Sequence, residues 1–168
     1  MQPKTAAASR RTHRRGFTLT ELMITVGVIG ILAALVIPSF MRARVQSRTK
    51  AAVNDLRVIY DGFQQYSILF NDYSSAPAVP GVMPSYMEGL IKNTTFTNKT
   101  PLGGWYYYKS TCYGALNGRP AIGIVGQFSD PVFNRDQMTA IDKNLDDGDL
   151  TTGLFVRLND KAFYFILE

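Results

Sequence analysis

The sequence has little of the side chains on which disulfide-stapled domains and many enzymes depend. Its 168 residues include one cysteine, Cys112, and one histidine, His13. A single cysteine excludes an intrachain disulfide. His13 lies in a basic N-terminal stretch, so the rest of the chain has no histidine for a Ser–His or Cys–His pair or for a His-containing zinc site. We therefore expect a protein that is not an enzyme and that needs no catalytic cofactor.

A second scarcity concerns net charge beyond the first residues. The chain carries a formal charge of +5, but there is no acidic residue before Phe17. From Phe17 onward thirteen Lys and Arg residues balance thirteen Asp and Glu residues. The excess positive charge belongs to a leader, residues 1–16, so we expect no nucleic-acid partner. Its basic residues are Lys4, Arg10, Arg11, Arg14 and Arg15.

What the sequence does contain is a long run without charge. Leu22 to Met41 is twenty residues long, and a helix of this length spans about 30 Å, the thickness of the hydrocarbon core of a bilayer. The pattern predicts a membrane-spanning helix within residues 17–41. Inside it, Pro38 removes one backbone donor and is expected to kink the helix without ending it.

Residues 42–70 change to an amphipathic period, with apolar side chains three or four positions apart. This stripe predicts that the helix continues from the anchor to about residue 70 and packs on a head formed by residues 71–168. Its members are Val53, Leu56, Tyr60, Phe63 and Ser67, widened by Ile59, Tyr66 and Phe70.

The head contains turn signals, β-prone stretches and two helical stretches. The pattern predicts a short helix over 85–92, strands over 104–110 and 121–126, a helix over 134–147 capped by Asn134, and a C-terminal hairpin over 154–167. The expected fold class is α+β: a long N-terminal helix, membrane-spanning in its first half, packed on a small antiparallel sheet.

A basic leader before an apolar run has several interpretations. A cleaved secretory signal is disfavoured because the run is twenty residues long and is followed by arginines, without a small-residue cleavage site. A twin-arginine signal is disfavoured because Glu21 lies in the apolar region. An uncut single-span anchor that tethers a binding domain stays open. None of the three explains Glu21.

Glu21 is explained if the leader is removed before Phe17. A carboxylate costs up to ~3 kcal/mol at mid-bilayer, and less near the edge. Cleavage would create an α-amine about one helical turn away, with a pKa near ~7.7–8. In a bundle of such helices, the carboxylate of one subunit can pair with the amine of its neighbour.

The segment Arg14–Met23, with the sequence RRGFTLTELM, closely resembles the class III signal of type IV prepilins and type II secretion pseudopilins. The resemblance implies that a membrane prepilin peptidase cuts between Gly16 and Phe17 and N-methylates Phe17. It also implies a structural subunit with the pilin fold, most readily a pseudopilin of type II secretion. A subunit of a type IV pilus or of a DNA-uptake pilus is the alternative.

The same resemblance implies partners and a location. The chain would sit in membrane lipid as a single-pass protein of the bacterial inner membrane, with its N-terminus cytoplasmic and its head outside. An inner-membrane assembly platform would then polymerise it, with copies of itself or with other pilin-like subunits, into a periplasmic or extracellular filament. Glu21 would set the axial register of that filament.

An acidic segment near the end of the predicted helix 134–147 suggests a cation. Calcium is one interpretation, because carboxylates gather where the helix dipole disfavours negative charge. A solvated turn with Gly148 as helix C-cap is the other. Major pseudopilins carry calcium in a different loop, nearer the C-terminus, so the resemblance assigns no ligands here. The candidate ligands from the pattern are Asp142, Asn144, Asp146, Asp147 and Asp149.

Overall fold

The structure is a computed structural model that describes residues 16–75, 79–111, 116, 118–126 and 132–168. The leader except Gly16, and with it His13, lies outside the described residues, as does Cys112. The chain divides into two compact units, and the second unit begins at Arg42.

Helix α1, Leu19–Phe70, is a single helix of 52 residues with Pro38 inside it. The prediction that Pro38 would not end the helix is confirmed. The kink at Pro38 stays a prediction.

Within the second unit, α1 contributes one face to the hydrophobic core. The predicted stripe is largely confirmed: Val53, Leu56, Ile59 and Phe63 are buried, whereas Tyr60, Tyr66 and Ser67 are half-buried. The prediction that Phe70 belongs to the buried stripe is wrong. Phe70 is the last residue of α1, and its side chain is 63% exposed.

Four strands form one antiparallel sheet: β1 (Trp105–Lys109), β2 (Ala121–Val125), β3 (Phe155–Asn159) and β4 (Ala162–Ile166). Their spatial order is β1-β2-β4-β3, so the C-terminal hairpin is confirmed and its second strand lies at the centre of the sheet. Alternate side chains of β1 are buried, as expected for a sheet with one face on a core.

Aromatic rings join the sheet to helix α1. Phe63 stacks on Tyr108 with ring centroids 4.4 Å apart, and Tyr60 lies 4.9 Å from Phe165. Both helix residues and both strand residues belong to the second unit, and they define the core on which residues 42–70 are fixed.

Two shorter helices complete the head. Helix α2, Asn93–Thr97, was not predicted, and the predicted helix over 85–92 is wrong except for a single 3₁₀ turn, Ser85–Met87. Gly89 has a φ of +87°, a left-handed conformation that ends regular helix there.

Helix α3, Arg135–Leu145, begins as predicted. The Oδ1 atom of Asn134 accepts hydrogen bonds from the backbone N–H groups of Asp136 and Gln137, at 2.8 and 3.3 Å. Its end differs from the prediction, because the C-cap residue is Asp146 and not Gly148. The backbone N–H of Asp146 donates to the carbonyl of Asp142 at 2.6 Å, so the helix closes before Gly148 is reached.

Candidate functional site

The first unit exposes its apolar side chains. From Gly16 to Arg48 no residue is buried, and Leu35, for example, is 72% exposed. Helix α1 contains a window with a mean hydropathy of 2.4, which by length and composition is enough to cross a membrane. Gly16 and Phe17 are exposed and lie ahead of the first helical residue, Leu19. The peptide bond between them therefore lies in exposed, non-helical backbone.

Glu21 is engaged at the start of the helix. Its Oε2 atom accepts hydrogen bonds from the backbone N–H and the hydroxyl of Thr18, at 2.8 and 2.9 Å. In return, the backbone N–H of Glu21 donates to the Thr18 hydroxyl oxygen at 3.2 Å. This reciprocal pattern is a capping box, in which each side chain satisfies a backbone donor that the first turn leaves unpaired.

Thr18 is the partner of Glu21 that sequence reasoning missed. The signal was present, because Thr-x-x-Glu at the head of an apolar run is the sequence pattern of a capping box. The capping box holds the Glu21 carboxylate beside the backbone of residues 17 and 18. Both accepted bonds go to Oε2, so Oε1 keeps its own capacity to accept hydrogen bonds.

The acidic segment forms a cluster where α3 ends. Ligand atoms of Asp142, Asp146 and Asp147 lie within 4.8 Å of one another. Asp142 is fully buried, and its carboxylate has at most a weak contact with the backbone N–H of Gly148. Burial, together with the negative charges of Asp147 and Asp146, raises the pKa of Asp142 to about 6.

The loop after α3 holds the other two carboxylates in place. Asp147 accepts hydrogen bonds from the backbone N–H of Asp149 and from the Thr152 hydroxyl, both at 2.8 Å. The backbone N–H of Leu154 donates to Asp146 Oδ2. A Cβ atom on Gly153 would lie 1.8 Å from that same oxygen, so the backbone approaches the cluster as closely as glycine alone permits.

Two of the five predicted ligands are not brought into the cluster. The side-chain amide of Asn144 donates to the Ala140 carbonyl at 2.6 Å, and the backbone carbonyl of Asn144 accepts from Arg57 Nη2 at 2.6 Å. Asp149 Oδ1 instead accepts from the backbone N–H and the hydroxyl of Thr151, at 3.0 and 2.7 Å. These contacts explain why the pKa of Asp149 is lowered, chiefly by the Thr151 hydroxyl.

Comparison with known proteins gives a consistent result at the N-terminus and in the head. Residues 11–37 match the family model described as the prokaryotic N-terminal methylation motif. The fold matches that of the major type IV pilin PilA1 from Clostridium difficile with a TM-score of 0.50, at 12% identity, over 73% of this chain and 95% of that one. The chain therefore has the pilin fold.

Curated relatives narrow the family. Over 108 residues the chain is 34% identical to the type II secretion system core protein G of Klebsiella michiganensis, covering 58% of this chain and 74% of that protein. It is 31% identical over 90 residues to core protein G of Escherichia coli, and 40% identical over 72 residues to the type IV major pilin PilA of Myxococcus xanthus.

Those two alignments cover 47% and 39% of this chain, and 62% and 33% of the relatives' own lengths, respectively. The chain belongs to the type IV pilin-like family that includes type II secretion system core protein G.

Proposed function

We propose that this chain is a non-catalytic structural subunit of a pilus-like filament, and specifically a pseudopilin of a type II secretion system. The observation that carries the proposal is the contrast between the charged Glu21 and the uncharged, exposed span that follows it. A single carboxylate stands at the start of twenty uncharged residues, of which none is buried within the chain itself. Such a surface needs lipid before assembly and the helices of neighbouring subunits afterwards.

Processing would complete this arrangement. Removal of the leader between Gly16 and Phe17 by a prepilin peptidase, with N-methylation of Phe17, would place a cation next to the capping box. The Oε1 atom of Glu21 is the acceptor that we expect to meet the amine of a neighbouring subunit. In an apolar bundle an unpaired charge is strongly disfavoured, so the pair would fix axial register.

This function also defines a route through the cell envelope. The subunit would wait in the bacterial inner membrane with its N-terminus cytoplasmic and its head outside. The assembly platform would then extract it into a filament of the periplasm or the cell surface.

Mass spectrometry of the N-terminus in the native host tests the processing step. We expect a terminus at N-methylated Phe17. An intact leader would instead support an uncut anchor that tethers a binding domain, and a cut after residue 41 would support a secretory signal.

Substitution at Glu21 tests the assembly step. Glu21→Gln keeps an oxygen acceptor for the Thr18 capping box but removes the charge, whereas Glu21→Ala removes both. We expect both variants to be processed and neither to form filaments, as judged by electron microscopy of sheared cells. Filaments of normal yield from Glu21→Gln would contradict the charge pair and leave helix capping as the role of Glu21.

A type IV pilus or DNA-uptake pilus subunit is the second candidate, favoured by the similarity to the pilin of Myxococcus xanthus and by the fold match. Deletion of the gene separates the two functions. Loss of an exported enzyme activity from the medium supports a pseudopilin, whereas loss of surface pili, twitching or transformation supports the alternative.

A further inference from the structure

The first residues of the second unit carry positive charge that the chain does not neutralise. No acidic residue lies between Glu21 and Asp55, and four cationic side chains in this interval are exposed. Within the described part of the chain, none of the four makes an ion pair or a side-chain hydrogen bond. We call these four residues the basic band. They are Arg42, Arg44, Arg48 and Lys50.

The basic band lies directly beyond the uncharged run Leu22–Met41, on the same helix. At about 1.5 Å of rise per residue, Arg42 and Arg44 follow the end of the run within about 5 Å of helix, and Lys50 follows it by about 13 Å. The headgroup layer on each side of a bilayer is about 5–8 Å thick, and charges interact in solution over about 8 Å at physiological ionic strength. When the run spans a membrane, the whole band therefore lies in or close to the headgroup layer.

The four charges point to different sides of α1. Each residue of a helix is turned by about 100° from the one before it, so Lys50 is turned by about 80° from Arg42. Arg44 and Arg48 are turned by about 200° and 240°. No sector of the helix wider than about 120° lacks a cation. A single protein surface would cover one side of the helix, whereas a headgroup layer surrounds it, so the arrangement fits lipid better.

We propose that the basic band binds the headgroups of anionic phospholipids while the subunit waits in the membrane, an inference that rests on the proposed function. Three of the four cations are arginines, whose planar guanidinium group can donate two parallel hydrogen bonds to one phosphate. Each cation near an anionic membrane surface strengthens attachment by about fivefold. Lys50 should contribute less than the arginines, because it shares a groove of the head with Asp136, whose negative charge competes with the lipid.

The basic band would fix how deep the helix sits in the membrane. The run from Leu22 to Met41 has no charge of its own, so cations at its end hold that end at the membrane surface. Extraction of the subunit into a filament then requires the cations to leave the headgroups and to find other partners. The lipid contact therefore opposes release of the subunit until assembly supplies those partners.

Native mass spectrometry of the full-length chain in a neutral detergent tests the proposal. In every sample the five basic residues of the leader are replaced by glutamine, so that they do not bind lipid themselves. Titration with phosphatidylglycerol and, separately, with zwitterionic phosphatidylcholine gives the affinity for each lipid. We expect phosphatidylglycerol to bind at least about fivefold more tightly, and this preference to fall as the salt concentration is raised. Equal affinities for the two lipids would overturn the proposal.

A triple variant, Arg42→Gln/Arg44→Gln/Arg48→Gln, assigns the preference to the basic band. It should bring the affinity for phosphatidylglycerol to within about twofold of that for phosphatidylcholine, since the remaining cation contributes least. The replaced side chains are exposed, so the unfolding transition of the head, followed by Trp105 fluorescence, should not change. A lipid preference that survives the triple variant would contradict the proposal.

A matched pair of single variants controls for net charge. Arg44→Gln removes one charge from the basic band, and Lys92→Gln removes one from an exposed site elsewhere in the head. The neighbour of Lys92, Ile91, packs against Gly62, which lies about 30 Å of helix beyond the end of the uncharged run. Arg44→Gln should lower the preference for phosphatidylglycerol by about two- to fivefold, and Lys92→Gln should leave it unchanged. Equal effects of the two variants would contradict a local site.

The lipid titration requires neither cleavage of the leader nor filament assembly. Equal affinities would therefore overturn the lipid contact and leave the proposed function standing, whereas an uncut leader or missing filaments would count against the proposed function alone. The triple variant also separates lipid from a neighbouring subunit as the partner of the basic band. Unchanged lipid preference together with loss of filaments would assign the band to contacts between subunits and overturn the proposal.

Discussion

Helix α1 is one continuous helix, yet its first part exposes its apolar side chains and its second part buries many of them. Between Phe17 and Met41 no residue is buried. The apolar side chains of that part can therefore be covered only by something outside this chain. Between Arg42 and Phe70 the apolar residues alternate with polar ones, and seven residues of α1, from Thr49 to Phe63, are buried. The difference shows that helix formation is a property of the local sequence, whereas the environment of each part follows from the width of its apolar surface.

The largest difference in stability between the two parts should come from truncating a buried side chain. Phe63→Ala removes a fully buried ring that stacks on Tyr108, and should lower the free energy of unfolding of the head by about 3–5 kcal/mol. Denaturant unfolding of the full-length chain in detergent, followed by Trp105 fluorescence, measures it. Leu35→Ala, at an exposed position of the same helix, should leave that transition unchanged. Similar losses of unfolding free energy in Phe63→Ala and Leu35→Ala would contradict the distinction between a buried and an exposed part of α1.

Glycine substitutions should destabilise the head in one part of α1 and leave it unchanged in the other. A Cβ at Gly62 would lie 2.3 Å from Cγ1 of Ile91, itself buried in the core, whereas Gly30 has no atom within 4 Å of that position. Overpacking typically costs 1–3 kcal/mol, and Ala gains about 1 kcal/mol of helix propensity over Gly. We expect Gly62→Ala to destabilise the head by up to about 2 kcal/mol and Gly30→Ala to leave its unfolding unchanged. A more stable head in Gly62→Ala would show that Ile91 can move freely.

Loss of a helix cap should destabilise only the part of the molecule in which the capped helix begins. Asn134→Ala removes the side chain that caps α3 and should lower the free energy of unfolding of the head by about 1 kcal/mol. Thr18→Ala removes the capping box of α1 and should raise hydrogen exchange in the first turn of that helix, with no change in the unfolding of the head. Undisturbed exchange near residue 21 would mean that Glu21 does not depend on Thr18.

The smallest effect concerns pH. Burial raises the pKa of Asp55, which lies on the buried part of α1 and accepts a hydrogen bond from the Tyr106 hydroxyl at 3.0 Å. A raised pKa in the folded state means that the protonated form is favoured there. The stabilising contribution of Asp55 to the free energy of unfolding is therefore present below its unfolded pKa of about 3.9. It is lost as pH rises through the higher pKa of the folded state. Asp55→Asn should flatten this decline in thermal stability above about pH 4. An unchanged slope would assign the decline to other groups.

Much of the head could be predicted because its signals are local. Asn134 was found from capping chemistry, and the hairpin around residues 159–161 from two β-prone stretches with a polar turn. Helix α2 was missed because Asn93–Thr97 has weak helix propensity, and its buried residue Phe96 gains its place from packing beside β1. The side chain of Asn144, one of the predicted ligands, makes a hydrogen bond within its own helix, and the reason is geometric. Asp142 and Asn144 both lie in α3, where residues two apart point to different sides, so the two side chains do not face one site.

By itself the sequence determined the long helix, the uncharged span, Glu21 at its head and the Thr-x-x-Glu cap, because each of these depends on periodicity or on contacts within one helical turn. Only the tertiary structure decided the strand order β1-β2-β4-β3, the burial of Asp142 and its grouping with Asp146 and Asp147. These features depend on where a loop returns after leaving a helix, and that path is set by packing between segments far apart in the chain.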